Sequence, residues 1–407
     1  MKIRSITYFC NPKYPLDEKV LQRAGVFLAE AKSAYEAAGY EVQTTRLATV
    51  PFPQLLGKKN IKDLPELAKE LSGAIRQVGV AYASLGLALI EMPGSYEVIP
   101  EAIAASENIF FGGEMASKEK GISLAAVRAC AEIIQKASTI TPDGFANLRF
   151  AALANVQAGA PFFPAAFHDN DEPAFAIATE SADLAVQAFE NAKTLEDGRK
   201  ALISEVTKHG QAISQIAQSL LPNYQLLEFI GIDFSLAPFP DDAHSLGSAV
   251  EKMGVPKIGL HGSLTAAAIL TEAVDRAEFP HTGFSGFMQP VLEDSILAKR
   301  AAEGTLTIKD VLLYSAVCGT GLDTIPLPGE TTSEHIAPLL LDLCALALRL
   351  DKPLTARLMP IPGKKAGDET DFDFGFFANS KVMELESGPL KGSLSGNENF
   401  SLQIKRQ

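Results

Sequence analysis

Ser315–Thr332 reads SAVCGTGLDTIPLPGETT, and how these residues fold decides how the rest of the chain is organised. The stretch fits neither a helix nor an alternating strand. Gly319, Gly321 and Gly329 permit positive φ, while Pro326 and Pro328 stiffen the return. The expectation is a shaped loop between two helices, Ile308–Ala316 and Ser333–Leu350, presenting Cys318, Asp323, Glu330 and Thr331. A thiol among small residues is open to approach, and its reactivity depends on nearby positive charge. The alternative for Cys318 is an inert buried thiol in a structural loop.

Outward from this loop, short apolar runs alternate with amphipathic stretches. Ile3–Phe9, Glu41–Ala48, Gly79–Ser84, Asn108–Phe111, Arg149–Asn155, Ala174–Thr179, Leu226–Phe234, Lys257–Leu260 and Ala356–Pro360 read as strands. Phe374–Val382 is a last extended candidate. The segments between them, such as Leu16–Ala38, Asp63–Gln77, Ser95–Ser106, Gly121–Ala137, Leu195–Leu220 and Leu264–Ala277, read as helices. This rhythm implies an α/β fold with mostly parallel sheet under helical cover. About ten strands exceed an eightfold barrel. Pro142, Asp143 and Gly144 break the pattern, so one domain spanning 1–407 divides into halves of roughly 1–143 and 144–386, with a polar tail at 387–407.

Five other segments offer polar chemistry. Gly159–Glu172, GAPFFPAAFHDNDE, lies between two strands, where α/β folds place ligands. His168, Asp169 and Asp171 are candidate ligands for a divalent cation, against the alternative of a solvated acidic turn. Asp233 and Ser235 in GIDFSLAPFPDD alternate with apolar neighbours and so face one side, a barrel interior or cleft, against the alternative that they only satisfy local backbone donors at the strand end. His261, in IGLHGSLT, sits between a strand end and a helix N-terminus, a place for an acid/base or for a hydrogen-bonded structural residue. Lys364 and Lys365, in MPIPGKKAGDETDFD, can neutralise an anion or answer their own acidic neighbours. Ser285, in GFSGFMQP, is one residue short of the hydrolase elbow spacing and remains a candidate substrate contact.

The bulk numbers narrow the partners. A net charge of −13 disfavours a nucleic-acid phosphate track and an anionic membrane surface. The four cysteines form no CxxC pair, which fits a reducing, cytoplasmic setting. The apolar helices Ile336–Leu350 and Leu264–Ala277 carry more hydrophobic surface than one core face needs, so a homo-oligomer is expected, a twofold dimer.

The segments AAFHDNDEPAFAIATES, DFSLAPFPDDAHSLGSAVEKMG, GLHGSLTAAAIL, GFSGFMQPVLEDS, AVCGTGLDTIPLPGETT and RLMPIPGKKAGDETDFDFG occur in this order. In that combination the chain resembles the bacterial and archaeal family called domain of unknown function 711, or uncharacterised protein family 0210. The resemblance implies a fold similar to the ten-stranded α/β barrel of pyruvate formate-lyase and ribonucleotide reductase. Two five-stranded halves then face each other, and a cysteine-bearing loop, here that of Cys318, enters the centre. The C-terminal glycines stand in FDFGFF, ESGPLKGSL and LSGNE, none of which matches the glycyl radical loop, so glycyl radical chemistry is not expected. The expected function is an enzyme acting on a small polar or anionic metabolite, with Cys318, Asp323, His261 and Asp233 as its reaction centre. The alternatives are a non-catalytic metabolite- or metal-binding protein and an assembly or regulatory protein.

Overall fold

The structure, a computed structural model, describes residues 1–404. Its strands are β1 (Lys2–Cys10), β2 (Val42–Thr49), β3 (Tyr82–Ala88), β4 (Ile109–Ser117), β5 (Gly121–Ser123), β6 (Phe150–Ala154), β7 (Ala174–Glu180), β8 (Glu228–Ala237), β9 (Gly321–Pro328), β10 (Leu354–Ile361) and β11 (Asn399–Phe400). They form one sheet along the path β8-β7-β1-β2-β3-β4-β6-β10-β9, with β5 attached to β4 and β11 to β5. β1, β2, β3, β4 and β6 run parallel to one another. β7 and β8 run the opposite way beside β1, as β10 and β9 do beside β6.

The regular ladder is open, with β8 and β9 at its ends. Both ends bond to one irregular segment, residues 280–291. On the β8 side, Ile232 N donates to Pro280 O at 2.8 Å and Leu236 N to Gly286 O at 2.9 Å. On the β9 side, Val291 N donates to Asp323 O at 3.1 Å. Isolated parallel bridges join Ser235 to Gly286 and Pro290 to Asp323.

The stretch expected to be a loop is divided. Residues 315–320 form a turn after the helix Ile308–Tyr314, and Gly321–Pro328 is a strand, buried up to Leu327. A strand covered on both faces shows no polar alternation, which removes the usual signal. Its prolines are tolerated because β9 pairs with a regular strand on one side only. Lys257–Leu260 and Phe374–Val382 form no strand, and Ser95–Ser106 splits into Gly94–Glu97 and Ile99–Ala104 with Pro100 in the second first turn. The tail is partly ordered, since β11 pairs Asn399 with Ser123 and Phe400 with Ile122.

Helices cover one face of the sheet. Leu195–Leu220 starts at Thr194, whose side chain accepts from Asp197 N, and Glu196 and Asp197 complement the exposed amides of the first turn. Its stripe of Leu202, Val206, Ile213 and Ala217 is buried. The helix Ser333–Leu350 buries Ile336, Leu340, Leu343 and Ala347 and packs on the helix Leu124–Ala137. Most of its apolar surplus is absorbed within the chain, with Leu350 at its end left 38% exposed.

The other face is occupied by the connection from β6 to β7. Phe163 and Ala166 pack with Phe9, Ala48, Phe110, Ala174 and Ala176, and Ala160 and Ala165 with Leu87, Ala151, Leu153 and Phe284. Ser84 Oγ donates to Ala166 O at 2.7 Å and His168 N to Thr49 O at 2.9 Å. Gly86, at φ +73°, lets the connection approach: a Cβ there would lie 2.8 Å from Pro51 Cα and 3.4 Å from Phe167 Cβ. The segment that enters the inner face is therefore GAPFFPAAF, residues 159–167, and it carries no cysteine. The expectation that the Cys318 loop fills this place is corrected.

Candidate functional site

A cavity of about 380 Å³ opens on this inner face. Its walls come from the first residues of β1, β2 and β3 (Arg4, Thr44, Tyr82) and the last residues of β7 and β8 (Thr179, Ala237). Because the two strand sets run oppositely, these ends meet at one mouth. Phe162 and Phe163 of the entering connection and Phe374 and Phe376 of the segment after β10 complete it.

Irregular register places Arg4 of the cavity wall and Asp323, which bonds Arg357 of that wall. Between β1 and β7 the pairing skips Arg4: Ile3 pairs with Thr179 and Ser5 with Ala178. Between β9 and β10, Asp323 and Thr324 together oppose Arg357, since Leu322 pairs with Ala356 and Ile325 with Leu358. Such bulges re-aim side chains. Thr324 takes φ +44°, strained for a β-branched residue, at a cost of about 1–3 kcal/mol.

These turned side chains form a buried chain of ion pairs. Arg357 Nε donates to Asp323 Oδ1 at 2.6 Å, and its Nη2 to Glu293 Oε1 at 2.8 Å. Glu293 Oε2 accepts from Arg4 Nη2 at 2.5 Å, and Arg4 Nη1 donates to Glu180 Oε2 at 2.8 Å. Asp323 Oδ2 and Glu180 Oε1 are buried acceptors with no partner among the described residues. Burial raises the Asp323 carboxyl to about 6, with Arg357 opposing the shift and Glu293 adding to it. Burial would lower the Arg357 guanidinium, but Asp323 and Glu293 outweigh it and hold it above its ordinary value.

Arg46 of β2 differs. Its Nε donates to Thr44 Oγ1 at 2.9 Å and its guanidinium lies 5.1 Å from the Phe163 ring centre. Among the described residues no carboxylate pairs with it. Burial, aided by neighbouring Arg4, lowers it to about 9. Arg149, at the rim, also lacks a carboxylate and donates to Ser106 O.

Asp233 and Ser235 line the cavity, as their alternation on β8 predicts. Asp233 accepts from Ser235 Oγ at 2.5 Å and from Phe284 N and Ser285 N, each at 3.0 Å. Gly283, at φ +64°, makes this approach feasible, because a Cβ would lie 2.3 Å from Asp233 Oδ2. The GFSGF motif thus cradles a carboxylate with backbone amides. Burial still raises Asp233, opposed by these donors. Ser285 acts through its amide, while its Oγ accepts from Phe234 N at 3.1 Å.

The other predicted site residues do not gather here. Cys318 lies in the turn before β9, in the core shared with the helices. Its Sγ accepts from Gly321 N at 3.3 Å and lies 3.7 Å from Gln289 Nε2. His261 is exposed in the turn before the helix Ser263–Asp275, because the sequence around it makes a turn rather than a strand end. Cys318 and His261 therefore leave the proposed reaction centre. Glu330 is exposed, and Thr331 is buried with its N bonded to Pro328 O. Lys364 Nζ bonds Glu369 O at 2.7 Å and pairs with Asp371 at 3.0 Å, and Lys365 N donates to Asp368 Oδ2 at 2.7 Å. That stretch is a self-satisfied surface turn.

His168 and Asp169 line a smaller cavity of about 190 Å³ with Glu91, Glu114 and Lys120, at the carboxyl ends of β3 and β4. His168 Nε2 is 2.7 Å from Glu172 O, and Asp171 Oδ1 accepts from Asn11 Nδ2 at 2.7 Å. Among the described residues no three His, Cys, Asp or Glu side chains gather as a metal site. Also among them, no helix is long and apolar enough to cross a membrane.

Sequence reasoning missed Arg4, Arg46, Arg357, Glu180 and Glu293. The signal available for the arginines was a single arginine inside a strand with no acidic residue: KIRSITYFC, VQTTRLAT and LTARLMPI. Arginine is rarely buried without a partner or a task.

A family model described as Uncharacterised ACR (DUF711) matches residues 1–380. A UPF0210 protein of Pyrobaculum aerophilum is 32% identical over 390 residues, covering 91% of this chain and 82% of that protein. A UPF0210 protein of Clostridium perfringens is 26% identical over 388 residues, covering 91% and 85%. Among solved structures, the anaerobic ribonucleotide reductase of Thermotoga maritima aligns at a TM-score of 0.43 and 9% identity, covering 88% of this chain and 75% of that one. With most of its length matched, the chain belongs to the family described as Uncharacterised ACR (DUF711).

Proposed function

We propose that the chain is an enzyme acting on a small anionic metabolite held inside a ten-stranded barrel, without glycyl radical chemistry. In this reading the irregular segment 280–291 is the tenth strand, bonded to both open ends of the sheet. The first half comprises β1, β2, β3, β4 and β6, so the division between halves moves from Asp143 to just after Ala154. The entering connection brings phenylalanines to the interior rather than a thiol, which supports a non-radical reaction.

Arg46 is the observation that carries the reading. A half-buried guanidinium with no counter-charge carries a desolvation cost, and Arg46 lines a cavity of small-molecule size. A carboxylate or phosphate supplies the missing partner in a fork geometry. Asp323, raised by burial to about 6 and bonded to Arg357 of the cavity wall, is able to exchange a proton near neutral pH, and burial also raises Asp233. Asp233 is also well supplied with donors, which favours the second reading, a protein that binds the metabolite without converting it.

Equilibrium dialysis of cellular small molecules against the wild type and Arg46→Met separates these cases. An anion enriched by the wild type, not by the variant, and converted on incubation supports the enzyme. Enrichment without conversion leaves the binding reading. No Arg46-dependent enrichment rejects both.

A further inference from the structure

The cavity sets four arginines, Arg4, Arg46, Arg149 and Arg357, beside a wall rich in aromatic rings. Seven of its twenty-four lining residues are Phe or Tyr, against 8% of the chain, so the enrichment is local. The rings are ordered as well as numerous. Tyr82 meets Phe110 edge-on at 5.5 Å and 82°, and Phe110 meets Phe163 at 5.3 Å and 61°. Phe163 in turn stacks under Arg46. From the other side Phe374 and Phe376 close the mouth, Phe374 packing edge-on against Phe145 at 5.1 Å.

Resting on the anion reading above, we propose that the ligand is an organic acid with an aromatic body: its carboxylate meets Arg46 and its ring extends the Tyr82–Phe110–Phe163 ladder beneath Phe374 and Phe376. A polyhydroxylated body, such as a sugar phosphate, fits worse. Against the Tyr82–Phe110–Phe163 wall its hydroxyls would lose their hydrogen bonds to water without replacement, since the polar partners Gln43, Thr44, Thr141 and Thr179 stand elsewhere in the lining. A bare phosphate also fits worse, because it offers nothing to the apolar wall and asks for more donors than Arg46 and Arg149 leave free. An aromatic ring gains both area burial and edge-to-face geometry from a wall already arranged that way.

Isothermal titration calorimetry of the full chain with acetate, phenylacetate and inorganic phosphate tests this. Phenylacetate is expected to bind at least about tenfold more tightly than acetate, and phosphate no more tightly than acetate. Phe374→Ala/Phe376→Ala should reduce the phenylacetate preference several-fold. The three-anion comparison uses the wild-type chain, so it stands whether or not that variant folds. Equal binding of acetate and phenylacetate, or tightest binding of phosphate, with loss of each in Arg46→Met, overturns the aromatic body and leaves the anion site standing. If none of the three binds, or if Arg46→Met binds them like the wild type, the anion site falls too.

Discussion

Two arginines line the same cavity in different company. Arg357 of β10 lies between Asp323 and Glu293, and Glu293 links it to Arg4 and Glu180. Arg46 of β2 has a threonine hydroxyl and a phenyl ring. Arg357 is buried and Arg46 half-buried, so both bear a desolvation cost, the second a smaller one. In the first region the protein offsets that cost itself. In the second, on the function proposed above, the offset is left to a bound anion. That proposal separates charges that build the site from a charge that receives a ligand.

The largest expected effect lies in the paired region. Arg357→Met leaves Asp323 and Glu293 as buried carboxylates short of a partner, which should destabilise the fold by about 3–5 kcal/mol. Urea unfolding at pH 7 measures it, and the loss should shrink in acid as the carboxyls protonate. A loss under about 1 kcal/mol would mean that the ion chain is not what holds β9 to β10.

Asp323 gives a second, pH-resolved effect. Its folded-state value of about 6 lies above the ordinary 3.8. Below 3.8 it is neutral in both states. Between about 4 and 6 the unfolded chain ionises first, so the stability contributed by Asp323 falls as pH rises through that window and then levels off. Relative to Asp323→Asn, the wild type should therefore lose stability from pH 4 to 6. A difference that is flat, or that grows in favour of the wild type, contradicts the raised carboxyl.

The smallest effects belong to residues outside the contrast. Cys318→Ala should cost about 1 kcal/mol through lost packing and leave anion binding unchanged, and His261→Ala should stay within about 0.5 kcal/mol. A strong binding defect in either would return it to the site.

What the sequence made legible follows from periodicity. β1, β2 and the helices Leu195–Leu220 and Ser333–Leu350 have clear patterns and appear where expected. Asp233 and Ser235 were readable because they alternate on one strand. β9 was not, because burial on both faces erases alternation and its prolines imitate a loop. Arg4 and Asp323 owe their directions to register shifts between paired strands, a property of pairing that neither strand shows alone. The connection 159–172 drew notice for its acidic end, whereas its Phe162 and Phe163 line the cavity. Cys318 attracted attention by chemical type, and its place is decided by packing beneath a helix.

The central claim is that Arg46 is held unpaired for an anionic ligand, and thermal unfolding of wild type and Arg46→Met, with and without phenylacetate, tests it most directly. Removing an unpaired, half-buried cation should leave the ligand-free variant as stable as the wild type or up to about 1 kcal/mol more so. The anion should then raise the melting temperature of the wild type only. A ligand-free variant that is clearly less stable, or one that phenylacetate stabilises as much as the wild type, would contradict the account.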